Sequence, residues 1–163
     1  IRRQRQMCIR DSPYMILADQ RYDDRMLFEN AYDLLSGVWL GSYDAYALAK
    51  GIGYPMFLVL AKKLCLPYSV LLALLQAVGA WLFVRALSVR WKNPYGQTLL
   101  YLLLLFSPIS LTQLVTQRLY RMAIVPGMVL VVFSGMIGLT LRKELPLKKQ
   151  LPWAVLTLSL IHI

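Results

Sequence analysis

The sequence predicts an all-α, polytopic membrane protein: about four transmembrane helices, the last one truncated, and an extracytoplasmic head of amphipathic interfacial helices. Three observations carry this. Hydrophobic residues make up 58% of the 163 residues and charged residues only 16%, with a mean hydropathy of +0.54, whereas a soluble domain holds about 45–50% and about 25%. The apolar residues are also gathered into long stretches. Residues 64–84, 93–117 and 122–141 are charge-free runs of 21, 25 and 20 residues, and about 20 helical residues cross a hydrocarbon core of ~30 Å. Finally, the acidic residues are segregated: Asp11, Asp19, Asp23, Asp24, Glu29, Asp33 and Asp44 precede residue 45, and only Glu144 follows. The chain therefore divides into a polar head, 13–66, and an apolar bundle, 67–157.

Both ends stand apart from this plan. The opening IRRQRQMCIRDS (residues 1–12) and the closing LSLIHI (158–163) resemble translated sequencing-adapter scars and are set aside as non-native; a native basic amphipathic N-terminus is the alternative. Without Arg2, Arg3, Arg5, Arg10 and Asp11 the formal charge falls from +10 to +7. The expectation is then a piece of a longer membrane protein.

In the head, Asp23 or Asp24 can cap a helix running to about Ser36, with Gly37 as its stop. Leu27, Phe28, Ala31, Leu34 and Leu35 recur at helical spacing and form one apolar stripe. After the GIGYP turn, Tyr54, Phe57, Leu58, Ala61, Leu64 and Cys65 share a face from which Lys62 and Lys63 are excluded. Fewer than 14 residues precede Pro67, so this stretch reads as a helix lying on the membrane. Tyr14, Tyr22, Trp39, Tyr43 and Tyr46 read as an interfacial aromatic belt.

The bundle begins with a span at about 68–87, followed by a second at about 96–112 with Pro108 near its far end. A third covers 122–141, and a fourth begins near Leu151. The connection at 85–92 carries Arg85, Arg90 and Lys92, and that at 142–149 carries Arg142, Lys143, Lys148 and Lys149. Excess Lys and Arg marks cytoplasmic loops, so the head and the turn at 113–121 fall on the extracytoplasmic side. Gln76, inside a span, reads as interhelical glue, and Met122, Met128 and Met136 as packing residues.

The same composition excludes chemistries. The one histidine, His162, is next to last, so a His-based triad or histidine metal cluster is not available within the chain. Cys8 and Cys65 form no CxxC motif and no disulfide framework. The basic residues sit beside apolar spans, where they act as topology signals, and no nucleic-acid partner is expected.

In order, the head reads YDDRMLFENAYDLLSGVWLG, a polar stretch, then KGIGYPMFLVLAKKL. This arrangement resembles the first extracytoplasmic loop of GT-C glycosyltransferases, the group that includes protein O-mannosyltransferases and lipid A aminoarabinose transferases. The family pattern is an acidic pair opening an amphipathic helix, a small-residue turn, and a K/H-P-P-L-Y-like segment. Asp23-Asp24, Ser36-Gly37-Val38-Trp39 and Lys50-Gly51-Ile52-Gly53-Tyr54-Pro55 stand at those places. The likeness covers about residues 20–145. It departs where Gly-Ile-Gly replaces the Pro-Pro pair, and where the second outer turn carries Arg118 and Arg121 instead of an acidic residue.

The resemblance implies a multi-pass enzyme of the bacterial plasma membrane that moves a sugar from a polyprenyl-phosphate donor to an acceptor on the outer face, with inversion. A piece of it is expected to be inactive alone. That chemistry needs a base for the acceptor's proton and cations for the leaving phosphate. Asp23 is the candidate base and Asp24 its neighbour; Lys50, Arg118 and Arg121 are the candidate phosphate-binding cations. No metal site is assigned, and a divalent cation stays open as cofactor. The partners implied are the lipid-linked donor and the bilayer, with the acceptor unspecified. The structural alternatives are a helix N-terminus for the acidic pair, a snorkelling lysine for Lys50, and nonspecific headgroup contacts for the two arginines. The alternative at the level of function is a non-enzymatic polytopic protein, either a lipid or small-molecule transporter or a structural subunit.

Overall fold

The computed structural model of the chain describes residues 23–39, 51–109, 121–142 and 146–161. The protein is all-α, with no strand among the described residues. Among the described residues the helices described over their full range are, in order, α1 Asp23–Leu35, α2 Gly53–Lys63, α3 Tyr68–Leu87, α4 Pro94–Leu105, α5 Val125–Leu141 and α6 Leu147–Ile161, with a 3-10 turn at Arg121–Ala123 before α5. They fall into two compact units. Residues up to Leu71, together with Arg121, belong to the first; the second takes up at Leu72 and, after Arg121, at Met122.

In the first unit α1 packs on α2. Leu27 and Ala31, one turn apart, are buried, Leu27 to 2% exposure, and burial of a leucine side chain is worth about 1.5–3 kcal/mol. Leu35, at the end of the expected stripe, is exposed because the helix stops there. Gly37 takes φ +82°, and the Val38 and Gly37 amides donate to the Asp33 and Leu34 carbonyls at 2.9 and 3.3 Å. This is the reversed cap that glycine permits.

The end of α2 repeats that geometry without a glycine. Cys65 has φ +53°, the Leu66 amide donates to the Ala61 carbonyl at 3.1 Å, and the Cys65 amide donates to the Lys62 carbonyl at 3.3 Å. Leu64 and Cys65 therefore leave the helical face on which the sequence pattern placed them, and both are exposed. Pro67 follows, as is common after a helix has been stopped this way. Tyr54, Pro55 and Ala61 are the buried residues of α2. The Tyr54 hydroxyl lies 3.2 Å from that of Tyr68 at the start of α3, and the Phe57 ring meets Tyr68 edge-on at 5.9 Å.

Helix α3 is 20 residues long and is the one helix among those described that is long and apolar enough to cross a membrane. In the second unit its inward side is small: a Cβ on Gly79 would come within 2.9 Å of the Gly127 carbonyl, and one on Gly127 within 2.7 Å of Leu75 Cγ. Backbones approach this closely only where side chains are absent. Gln76, 8% exposed, donates from Nε2 to the Leu104 carbonyl at 2.9 Å, satisfying one of the carbonyls left unpaired at the end of α4.

Four boundaries differ from the sequence expectation. Helix α4 starts earlier, at Pro94, because the Asn93 side chain accepts from the Tyr95 and Gly96 amides and proline suits the first helical position. It also ends at Leu105, since Pro108 removes the amide that would close its next turn; at 12 residues it rises about 18 Å. Helix α5 starts at Val125, after the 3-10 turn, and is 17 residues long. Helix α6 starts at Leu147, four residues before the expected point, so Lys148 and Lys149 lie in its first turn and Pro152 inside it. It packs against α5: Gly135 faces Thr157, and Gly138 faces Trp153.

Candidate functional site

Helix α1 positions the acidic pair. Asp23 and Asp24 are its first two residues, one step inside the helix rather than at the cap. The unpaired amides of a first turn and the positive end of the helix dipole favour negative charge at such positions. The packing of α1 on α2 sets where this turn sits relative to the segment after GIGYP.

Of the three candidate cations, Arg121 is described. It opens the 3-10 turn before α5, is exposed, and belongs to the same compact unit as α1 and α2. The fold thus gathers into one unit an acidic pair and an arginine that lie far apart in the sequence. Lys50 and Arg118 lie outside the described residues, as do Tyr14, Tyr22, Tyr43 and Tyr46. Trp39 is 72% exposed, available to an interface. Among the described residues no three metal-ligating side chains come together.

Sequence reasoning missed the Tyr54–Tyr68 pair. Tyr54 had been assigned to an apolar face by its spacing, but its hydroxyl meets a second hydroxyl where α2 turns into α3. The signal was the phenol itself: a buried tyrosine requires a polar partner, and Tyr68 is the tyrosine across the Pro67 turn. The pair ties the GIGYP helix to the start of the long apolar helix.

Compared with family models, curated proteins and solved structures, the chain matches none.

Proposed function

We propose that the chain is part of a membrane glycosyltransferase of the GT-C type, transferring a sugar from a polyprenyl-phosphate donor to an acceptor on the extracytoplasmic face of the bacterial plasma membrane. The observation that carries this reading is the order of elements. An acidic pair opens an amphipathic helix, that helix packs on the helix after GIGYP, and a 20-residue apolar helix follows directly. On this reading α4, α5 and α6 accompany α3 across the bilayer.

The reaction assigns one role to each group. The Asp23 carboxylate takes the proton from the acceptor hydroxyl or amine as its lone pair attacks the anomeric carbon. The bond from that carbon to the phosphate oxygen breaks on the opposite face, which inverts the centre. The polyprenyl phosphate leaves with the bonding pair, its charge held by Lys50 with Arg118 or Arg121. Asp24 keeps the first turn of α1 negative beside the base.

The non-enzymatic reading, a transporter or structural subunit, finds less support. Transport pathways place unsatisfied polar groups at membrane depth, whereas Gln76, the polar residue inside α3, is engaged with Leu104.

Donor binding tests the proposal. The detergent-solubilised chain should retain a short-chain polyprenyl-phosphate sugar in native mass spectrometry. A charge-assisted contact to an anion is worth about 1.5–3 kcal/mol, so Lys50→Ala or Arg121→Ala should each weaken retention by about 10- to 150-fold, with part recovered in Lys50→Arg. Absence of donor binding, or binding indifferent to both alanines, would overturn the reading.

A further inference from the structure

A second group of charges lies in the other compact unit, where no catalytic role has been assigned. Arg142, just past the end of α5, reaches back to α3 and donates from Nη2 to the Arg85 carbonyl at 3.0 Å. Its guanidinium also lies over the indole of Trp153 on α6, 4.4 Å from the ring centre, while Nη1 is buried without a hydrogen-bond partner. The arginine is therefore fixed at a three-helix corner by a carbonyl and a ring face, neither of which neutralises it. Partial burial, and then the nearby Arg85, push its pKa below the usual guanidinium value. It stays charged regardless.

No carboxylate faces this corner among the described residues, and from Ala45 to Lys143 the sequence contains none. Arg85 near the end of α3, Arg90 just past it, and Lys148 and Lys149 in the first turn of α6 are all exposed. Arg142 and Arg85, with no carboxylate beside them among the described residues, stand at the end of an apolar helix and beside a tryptophan, a setting suited to an anion that also has an apolar part.

We propose that the Arg85–Arg142–Trp153 corner binds the phosphate of an anionic phospholipid. The phosphate meets the exposed Arg85 guanidinium as a planar, charge-assisted pair, with the charge of Arg142 behind it; the indole sits at headgroup depth, and the acyl chains lie along α3 and α5. This is independent of the glycosyltransferase reading and concerns the second compact unit. Basic pockets between membrane helices are suited to this ligand class.

The detergent-solubilised full chain, titrated with phosphatidylglycerol and followed by native mass spectrometry, tests it. The first phosphatidylglycerol should bind more tightly than phosphatidylcholine, and inorganic phosphate should not displace it. Arg85→Gln leaves intact the backbone carbonyl that Arg142 uses, and should weaken that first lipid about 5-fold, as expected for loss of one charge near an anionic headgroup. Lys62→Gln with Lys63→Gln, at the end of α2, should leave it unchanged. With the wild-type chain, 1 M NaCl should erase the preference while the helical circular dichroism persists. Equal binding of the two lipids, displacement by free phosphate, or an equal loss in the α2 variant would each overturn the proposal.

Discussion

Gly138 of α5 faces Trp153 of α6 so closely that a Cβ on the glycine would overlap the indole. One turn earlier Gly135 stands in the same relation to Thr157, whose hydroxyl donates back to the Trp153 carbonyl at 2.8 Å. The two glycines make a flat track for α6, and the indole held over Gly138 is the same one that carries Arg142.

Gly138→Ala should therefore destabilise the protein despite the higher helix propensity of alanine. Overpacking of a close contact costs about 1–3 kcal/mol, so the melting midpoint in detergent should fall by several degrees. Trp153→Leu, combined with Gly138→Ala, should recover part of the loss, because neighbours in contact are not additive. Independent, additive effects of the two substitutions would show that the glycine and indole do not share this space.

A second prediction concerns Cys65. It holds the left-handed conformation that Gly37 holds at the end of α1, and a residue with a Cβ pays about 1–2 kcal/mol for it. Cys65→Gly relieves this but makes the unfolded chain more flexible, so a net gain of about 0.5–1 kcal/mol is expected. The melting midpoint of Cys65→Gly should rise, and that of Gly37→Ala should fall. A lower midpoint for Cys65→Gly would mean that the cysteine side chain contributes more than its backbone costs.

These two caps also show what the sequence could and could not reveal. The stop at Gly37 was legible because glycine is the residue that takes positive φ without penalty. The same stop at Cys65 was not, because its cause is Pro67 and the packing of Tyr54 and Phe57 on Tyr68, which no local spacing encodes. The apolar run over Tyr68–Leu87 was legible from length alone. The start of α4 could have been read from Asn93-Pro94, a cap followed by proline, but the apolar run drew the boundary inward. For the candidate site, the placement of Asp23-Asp24 at a helix start was legible from the amphipathic stripe behind it. Its grouping with Arg121 was not, since nothing in the spacing of charges reports which unit a turn joins.

Topology supplies a third prediction. On the proposed orientation, with the head outside and the basic connections inside, Cys65 would face the extracytoplasmic medium and Val89 the cytoplasm. Both positions are exposed. In a Cys8→Ser background, Cys65 should react with a membrane-impermeant maleimide added to intact cells. Val89→Cys, with Cys8 and Cys65 both changed to serine, should react only after permeabilisation. Labelling of the second and not the first from outside would invert the orientation and place Asp23-Asp24 in the cytoplasm, where the proposed donor chemistry does not belong.

The last prediction bears on the base. Asp23 is the first residue of α1, and substitution by asparagine keeps the side-chain shape and much of the ability to pair with first-turn amides, but removes the proton acceptor. In a complete enzyme carrying this chain, Asp23→Asn should lower kcat by about 10²–10⁴-fold, the range for a positioned general base. Donor KM should stay near the wild-type value, because the lost contact acts on the acceptor's proton and not on the phosphate. Asp24→Asn should cost much less, since that residue conditions the turn without receiving the proton. The comparison has to be made on protein of equal membrane abundance, as both substitutions also reduce the favourable charge at a helix start, worth about 0.3–1 kcal/mol. Wild-type turnover in Asp23→Asn with a large loss in Asp24→Asn would move the base one residue along the helix. Wild-type turnover in both would remove the acidic pair from the mechanism altogether.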